Sequence, residues 1–138
     1  MPRKIIVDAG PIIAYFDRKD EYHNWTVGQF ARFATFETCD AVLSEACARL
    51  AYAGFDQTAV IRLADEGGLR LTFNSSYNLG RILALMEKYS DQPMDFADAC
   101  LVAMSEEHDD VLVVTLDRDF KFYRRRGRDR IPLLAPGA

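Results

Sequence analysis

The segment Val111-Leu112-Val113-Val114-Thr115 constrains this chain more than any other. Its apolar residues run consecutively instead of alternating, so the strand they form is covered on both faces, as in a parallel sheet. Lys4-Ile5-Ile6-Val7 reads the same way and ends at Asp8. Helical patterns lie between. Pro11 suits the start of a helix reaching about residue 17. Trp25, Phe30 and Phe33 space a helix over 22–33, and 36–39 reads as a short strand. Asp40 is expected to cap a helix over 41–53, which Gly54 stops, and a further helix spans 57–66. The alternation over 69–73 predicts a strand. Ser75 or Ser76 is expected to cap a helix ending near residue 89, with Leu79, Ile82, Leu83 and Met86 on one stripe. Pro93 opens a helix over about 94–107, and 131–134 is a last strand candidate. Strands alternating with helices predict an α/β fold, a three-layer α/β/α sandwich around a central, mainly parallel sheet.

With 138 residues the chain has the length of one domain, 1–138. Hydrophobic residues make up 49% and charged residues 28%, enough apolar material for a core, which excludes global disorder. No apolar run approaches the roughly 18 residues of a membrane-spanning helix, and the start of the chain lacks the pattern of a secretory signal. The expected location is the cytoplasm, with no membrane partner. Cys39, Cys47 and Cys100 are odd in number and widely spaced, and read as small buried hydrophobes. With only His23 and His108, a His/Cys zinc site is disfavoured. Charge is uneven: residues 1–120 carry net −9 and residues 121–138 net +5, together the −4 of the chain. The basic segment either contacts a polyanion or is a solvated turn.

The acids carry the chemistry. Asp8 and Asp117 follow the two strongest strands, and in open α/β sheets ligands bind beyond the carboxyl ends of strands. Each could also be a turn former. Asp98 sits among Ala97, Ala99, Cys100, Leu101 and Val102, where an uncompensated carboxylate costs desolvation. Its alternative is helix capping, with Asp95 as N-cap and Asp98 three residues on. Glu45 lies in Leu43-Ser44-Glu45-Ala46 and could simply pair with Arg49 one turn later. Converging carboxylates repel unless some protonate or a cation joins them. An all-oxygen donor set favours Mg²⁺ or Mn²⁺ over Zn²⁺, and such an ion suits phosphodiester hydrolysis.

Four segments together resemble the PIN domain, most closely the VapC-type toxin nucleases. They are Ile6-Val7-Asp8-Ala9-Gly10-Pro11-Ile12-Ile13-Ala14, Leu43-Ser44-Glu45-Ala46, Met94-Asp95-Phe96-Ala97-Asp98-Ala99-Cys100-Leu101-Val102-Ala103 and Val114-Thr115-Leu116-Asp117-Arg118-Asp119-Phe120, in the family's order. The resemblance implies a metal-dependent ribonuclease whose principal acids are Asp8, Glu45, Asp98 and Asp117. Asp8, Asp98 and Asp117 would hold Mg²⁺ or Mn²⁺. Asp95 and Asp119 would be accessory acids, and Thr115 would orient the fourth acid. Where many members carry Ser or Thr after the first acid, this chain has Ala9. The partners implied are an RNA substrate, a small antitoxin protein and a second copy of the chain as a homodimer.

Positive charge beside an acidic pocket would help hold RNA, so Arg124, Arg125 and Arg126 are candidate backbone contacts. Phe122 and Tyr123 could stack on a base or pack against the sheet. The alternative to an enzyme is a PIN-like module that binds RNA or protein without chemistry. A phosphotransfer domain using Asp8 as nucleophile is disfavoured, because Ala9-Gly10-Pro11 offers no second acid two residues later.

Overall fold

The computed structural model describes residues 4–137. Strand β1 (Lys4–Val7) leads into helices α1 (Ala9–Phe16) and α2 (His23–Arg32) and strand β2 (Phe36–Thr38). Helices α3 (Asp40–Tyr52) and α4 (Thr58–Asp65) precede strand β3 (Leu69–Leu71). A 3₁₀ turn (Ser75–Tyr77) and helices α5 (Leu79–Lys88) and α6 (Phe96–Ser105) lead to strand β4 (Val111–Val114). A second 3₁₀ turn (Arg118–Lys121), a hairpin of β5 (Arg124–Arg125) and β6 (Asp129–Arg130), and strand β7 (Leu133–Leu134) complete the described chain. Among the described residues no helix is long and apolar enough to cross a membrane.

The five-stranded sheet has the order β3-β2-β1-β4-β7, and every pairing in it is parallel. Ile5 pairs in register with Leu112 and Val7 with Val114, which joins the two apolar runs at the centre of the sheet. All four β1 residues are buried, as both-face coverage requires. The buried Thr38 hydroxyl donates to the Val7 carbonyl at 2.8 Å, locking β2 to the end of β1. From β1 the chain winds outward through β2 to β3, then crosses back to place β4 on the other side of β1. Crossovers of one hand therefore put helices on both faces, giving the α/β/α layering expected.

Several boundaries differ from those read in the sequence, each for a local reason. Helix α1 begins at Ala9, capped by Asp8, with Pro11 in its first turn rather than at its start. Asp40 lies inside α3 after Cys39 instead of capping it. Asn74, not Ser75 or Ser76, accepts the capping bond, and it closes a 3₁₀ turn before α5 starts at Leu79. Helix α6 starts at Phe96 because Asp95 and Asp98 form a reciprocal capping box. Residues Ala97 to Ser105 are all buried, so α6 is a helix enclosed on every side rather than one with a single inward stripe.

The hairpin was not legible as a strand pair. It turns through Arg126 and Gly127, both at positive φ (54° and 89°), and its residues are charged. Its anchor is Arg125, only 7% exposed, which donates to the carbonyls of Ser105, His108 and Asp109 at the C-terminal end of α6 and beyond. The guanidinium thereby supplies the donors that the last turn of a helix lacks. Arg125→Ala leaves those carbonyls unpaired in a buried position, and should lower unfolding free energy in a denaturant titration by about 2–3 kcal/mol. A loss below about 0.5 kcal/mol, the scale of an ordinary surface change, would show the clamp to be idle.

Candidate active site

Asp8 and Asp117 leave the carboxyl ends of β1 and β4, neighbouring strands from which the chain continues to opposite halves of the sheet. This is the topological switch point, where an open α/β sheet forms a crevice. A cleft of about 510 Å³ opens there. Asp8, Glu45, Asp95, Asp98 and Asp117 line it, so α1, α3, α6 and the β4 end each contribute an acid. Asp119 and Thr115 do not line it. Thr115 is buried beneath, and Asp119 belongs to the following 3₁₀ turn.

Each carboxylate has its own anchor. Asp8 Oδ1 accepts from the Ala9 amide at 2.7 Å, and Asp8 Oδ2 accepts from the Thr115 hydroxyl at 2.9 Å. The same Thr115 oxygen accepts from the Asp117 amide at 3.0 Å, so one hydroxyl fixes the first acid and the backbone of the fourth. Asp117 Oδ1 accepts from the Asp119 amide at 2.9 Å. Asp98 Oδ2 accepts from the Asp95 amide at 3.1 Å, and Asp95 Oδ1 from the Asp98 amide at 2.8 Å. The capping alternative for Asp98 is therefore real, and it coexists with a place in the cleft. Glu45 Oε2 pairs with Arg49 Nη1 at 3.2 Å.

These bonds offset only part of the cost of burying the acids beside one another. Burial pushes the Asp8 carboxyl up to about 6, against the bonds from Ala9 and Thr115, and the charges of Glu45 and Asp117 add to it. Burial also pushes Asp98 up, to about 8, helped by the charges of Asp95, Asp8 and Asp117. Two desolvated carboxyls that each feel the other acids are a site poised for a cation or for protons. Among the described residues no three His, Cys, Asp or Glu side chains are grouped closely enough to hold a metal ion as they stand. Each carboxylate is instead bonded to its own anchor. A carboxylate accepts through about four lone pairs, so each anchor leaves capacity, and the donor set is the hard-oxygen type that Mg²⁺ or Mn²⁺ takes.

Neither histidine lines the cleft. His23 Nδ1 lies 2.7 Å from the Ala14 carbonyl, which fixes the proton on that nitrogen, and His108 flanks the far end of α6. Cys39 and Cys100 are buried as read, whereas Cys47 is half-buried.

The sequence reading missed Asp20, Glu21 and Tyr22, which reach the cleft from the loop before α2, and gave Arg49 no part in it beyond its pairing with Glu45. Among the described residues the cleft thus carries seven carboxylates, Asp8, Asp20, Glu21, Glu45, Asp95, Asp98 and Asp117, and one cation. No local motif marks the 20–22 loop; only the tertiary fold brings it over β1.

The basic segment starts beside Asp117, where Lys121 lies, but two of its arginines are held away from the cleft. Arg125 and Arg126 grip Ser105, Glu106 and Asp109, where α6 ends and the chain turns into β4. Asp98 to Ser105 alone spans about 10 Å of helix, so these arginines sit at the amino edge of the sheet, opposite the cleft. Arg124 donates its amide to the Tyr89 hydroxyl and its guanidinium to the carbonyls of Lys121 and Tyr123. Tyr123 is fully buried between Tyr89 and Phe120, the packing reading, while Phe122 is 67% exposed.

An open parallel sheet with a carboxylate-lined crevice at its switch point defines an α/β domain whose ligand site lies beyond the carboxyl ends of its strands. The family model for the PIN domain matches residues 5–126, and the chain belongs to that family. PIN domains are generally nuclease domains and typically depend on divalent metals. No curated protein matches the chain.

Proposed function

We propose that this protein is a metal-dependent endoribonuclease in which Asp8, Asp98 and Asp117 hold Mg²⁺ or Mn²⁺ and Glu45 is the fourth catalytic acid. The observation that carries the reading is the convergence of these acids from four separate elements on one cleft, with two of them desolvated. A divalent cation there supplies Lewis-acid polarisation of a phosphoryl oxygen and acidifies water. The chain's own residues do the rest. The Thr115 hydroxyl holds the Asp8 carboxylate and the Asp117 backbone in fixed relation. Glu45, tied only by Oε2 to Arg49, keeps Oε1 free to accept the proton of an attacking water. Asp95 keeps the first turn of α6 aimed at the cleft, and Asp119 fixes the direction of Asp117 through its amide.

Ribonuclease rather than deoxyribonuclease activity, the toxin role, the small antitoxin, the homodimer and the cytoplasmic location rest on the likeness of the four acid-bearing segments to VapC-type toxins. Purified protein incubated with a labelled single-stranded RNA should cut it in Mg²⁺ or Mn²⁺ and leave it intact in excess EDTA. RNA left whole in both metals would favour the silent binding module, and cutting that survives EDTA would remove the metal from the scheme.

A further inference from the structure

A polyanion meets a difficulty at this cleft. Among the described residues its lining sets one arginine against seven carboxylates, and that arginine is already paired with Glu45. Arg125 and Arg126 are at the opposite edge of the sheet, occupied by α6 and Asp109. Cations that hold a strand must therefore come from elsewhere beside the acids.

A second cleft of about 250 Å³ adjoins the first and shares Tyr22, Leu116 and Asp117 with it. Its outer wall carries Arg118 and Lys121, both exposed, on the 3₁₀ turn that Asp117 caps. Neither side chain makes an ion pair or hydrogen bond among the described residues, in contrast to Lys4, Arg49, Arg81, Arg125 and Arg126. The floor is Leu133, Ala135, Pro136 and Gly137, which bring no charge. The half-buried Tyr22 lines both clefts and so stands at their junction.

We infer that this second cleft is a binding subsite for the phosphodiester backbone of a single-stranded nucleic acid, with Arg118 and Lys121 as its phosphate contacts and Tyr22 as a stacking wall at the entry to the acidic cleft. The inference rests on the nuclease reading for its direction. A strand lying in the second cleft is led past Asp117 into the carboxylates. Two unpaired cations a few residues beyond Asp117 offset the repulsion that the acids exert on the incoming backbone. Every base has a face to stack, so an aromatic wall favours a strand without dictating its sequence.

The test is fluorescence anisotropy of a labelled single-stranded RNA with 2′-O-methyl riboses, titrated with the full chain in EDTA over a series of salt concentrations. Arg118→Ala/Lys121→Ala should weaken binding about tenfold near 0.1 M salt and reduce the salt slope by about 1.4, since each phosphate contact on a single strand contributes about 0.7. Both side chains are exposed, so the fold should persist, and an unchanged melting temperature checks this. Tyr22→Leu should weaken binding with little change in salt slope, because stacking releases no counterion. Arg124→Ala/Arg126→Ala should leave the slope unchanged. An unaltered affinity and slope in the Arg118/Lys121 variant would overturn the inference, as would a wild-type protein that binds no oligonucleotide. Complete displacement of the RNA by micromolar mononucleotide would also overturn it, since that marks a mononucleotide pocket instead of a strand path. Cleavage of unmodified RNA by the wild type is scored separately. Cleavage with unchanged variant binding sinks only the subsite, and binding lost in the variant without any cleavage by the wild type sinks only the nuclease reading.

Discussion

Asp8→Asn should abolish metal-dependent cleavage of RNA, by about three orders of magnitude or more, while leaving the metal-free protein as stable as the parent or more so. The two observables move apart because Asp8 does two jobs. Its oxygens cap α1 and receive the Thr115 hydroxyl, and an asparagine carbonyl can keep the cap. Its negative charge is costly to the fold, since it is buried and faces Glu45 and Asp117. The asparagine removes that cost and also removes the charge that draws a divalent ion; losing one anionic ligand forfeits several kcal/mol of transition-state stabilisation, each 1.36 kcal/mol being about tenfold in rate. Asp117→Asn should behave alike in activity. Thr115→Val should cost less in rate, because it loosens the position of Asp8 and not its charge. The measurements are single-turnover cleavage of labelled RNA in Mn²⁺ and thermal melting in EDTA. A variant that cuts at the parental rate would remove Asp8 from the mechanism. One that is inactive only because it melts far below the parent would reduce Asp8 to a helix cap.

The divergence also shows what a sequence can and cannot carry. Apolar runs that do not alternate announce buried parallel strands whatever surrounds them, so β1 and β4 were legible, and with them the strand-end positions of Asp8 and Asp117. The spacing of Asp95 and Asp98 was legible as a capping box for the same reason: the interaction is local. Asp98 seemed to demand a choice between capping and function, and the structure shows one carboxylate serving the helix end while facing the cleft. What failed depends on remote partners. Arg125 in an arginine run reads as a phosphate contact or a solvated turn, and nothing near it in sequence says that three carbonyls at the end of α6 await a donor. Asp20, Glu21 and Tyr22 belong to a loop with no pattern, and Arg118 and Lys121 look like the rest of the basic segment. Their distinction is that the fold leaves them unpaired beside Asp117, while it occupies Arg124, Arg125 and Arg126 elsewhere.

In EDTA the protein should lose stability as pH rises from about 5 to about 8, the reverse of ordinary acid denaturation. Asp8 and Asp98 are both held well above the usual carboxylate value of 3.8, at about 6 and about 8, chiefly by burial and then by neighbouring charge. The folded protein therefore binds these protons more tightly than the unfolded chain. The stability they confer is complete below about pH 4 and is lost as pH climbs through 6 and then through 8. Carboxyls with lowered values, such as Glu106 beside Arg81, act in the opposite sense, but only at pH below about 4.5, outside this window. Between pH 5 and pH 8 Asp8 loses only the last unit below its value of about 6, about 1.4 kcal/mol, and Asp98, still titrating up to about 8, adds to it, so the melting temperature should fall by about 5–10 °C. Millimolar Mn²⁺ should restore most of that at pH 8, where the acids are ionised and repel one another, and little at pH 5, where protons hold the same oxygens. Asp8→Asn/Asp98→Asn should flatten both the pH dependence and the Mn²⁺ response. A melting temperature in EDTA that stays level or rises between pH 5 and pH 8 would contradict the desolvation argument. A normal fall in EDTA with no Mn²⁺ effect at pH 8 would leave the acids strained but would show that they do not bind the ion.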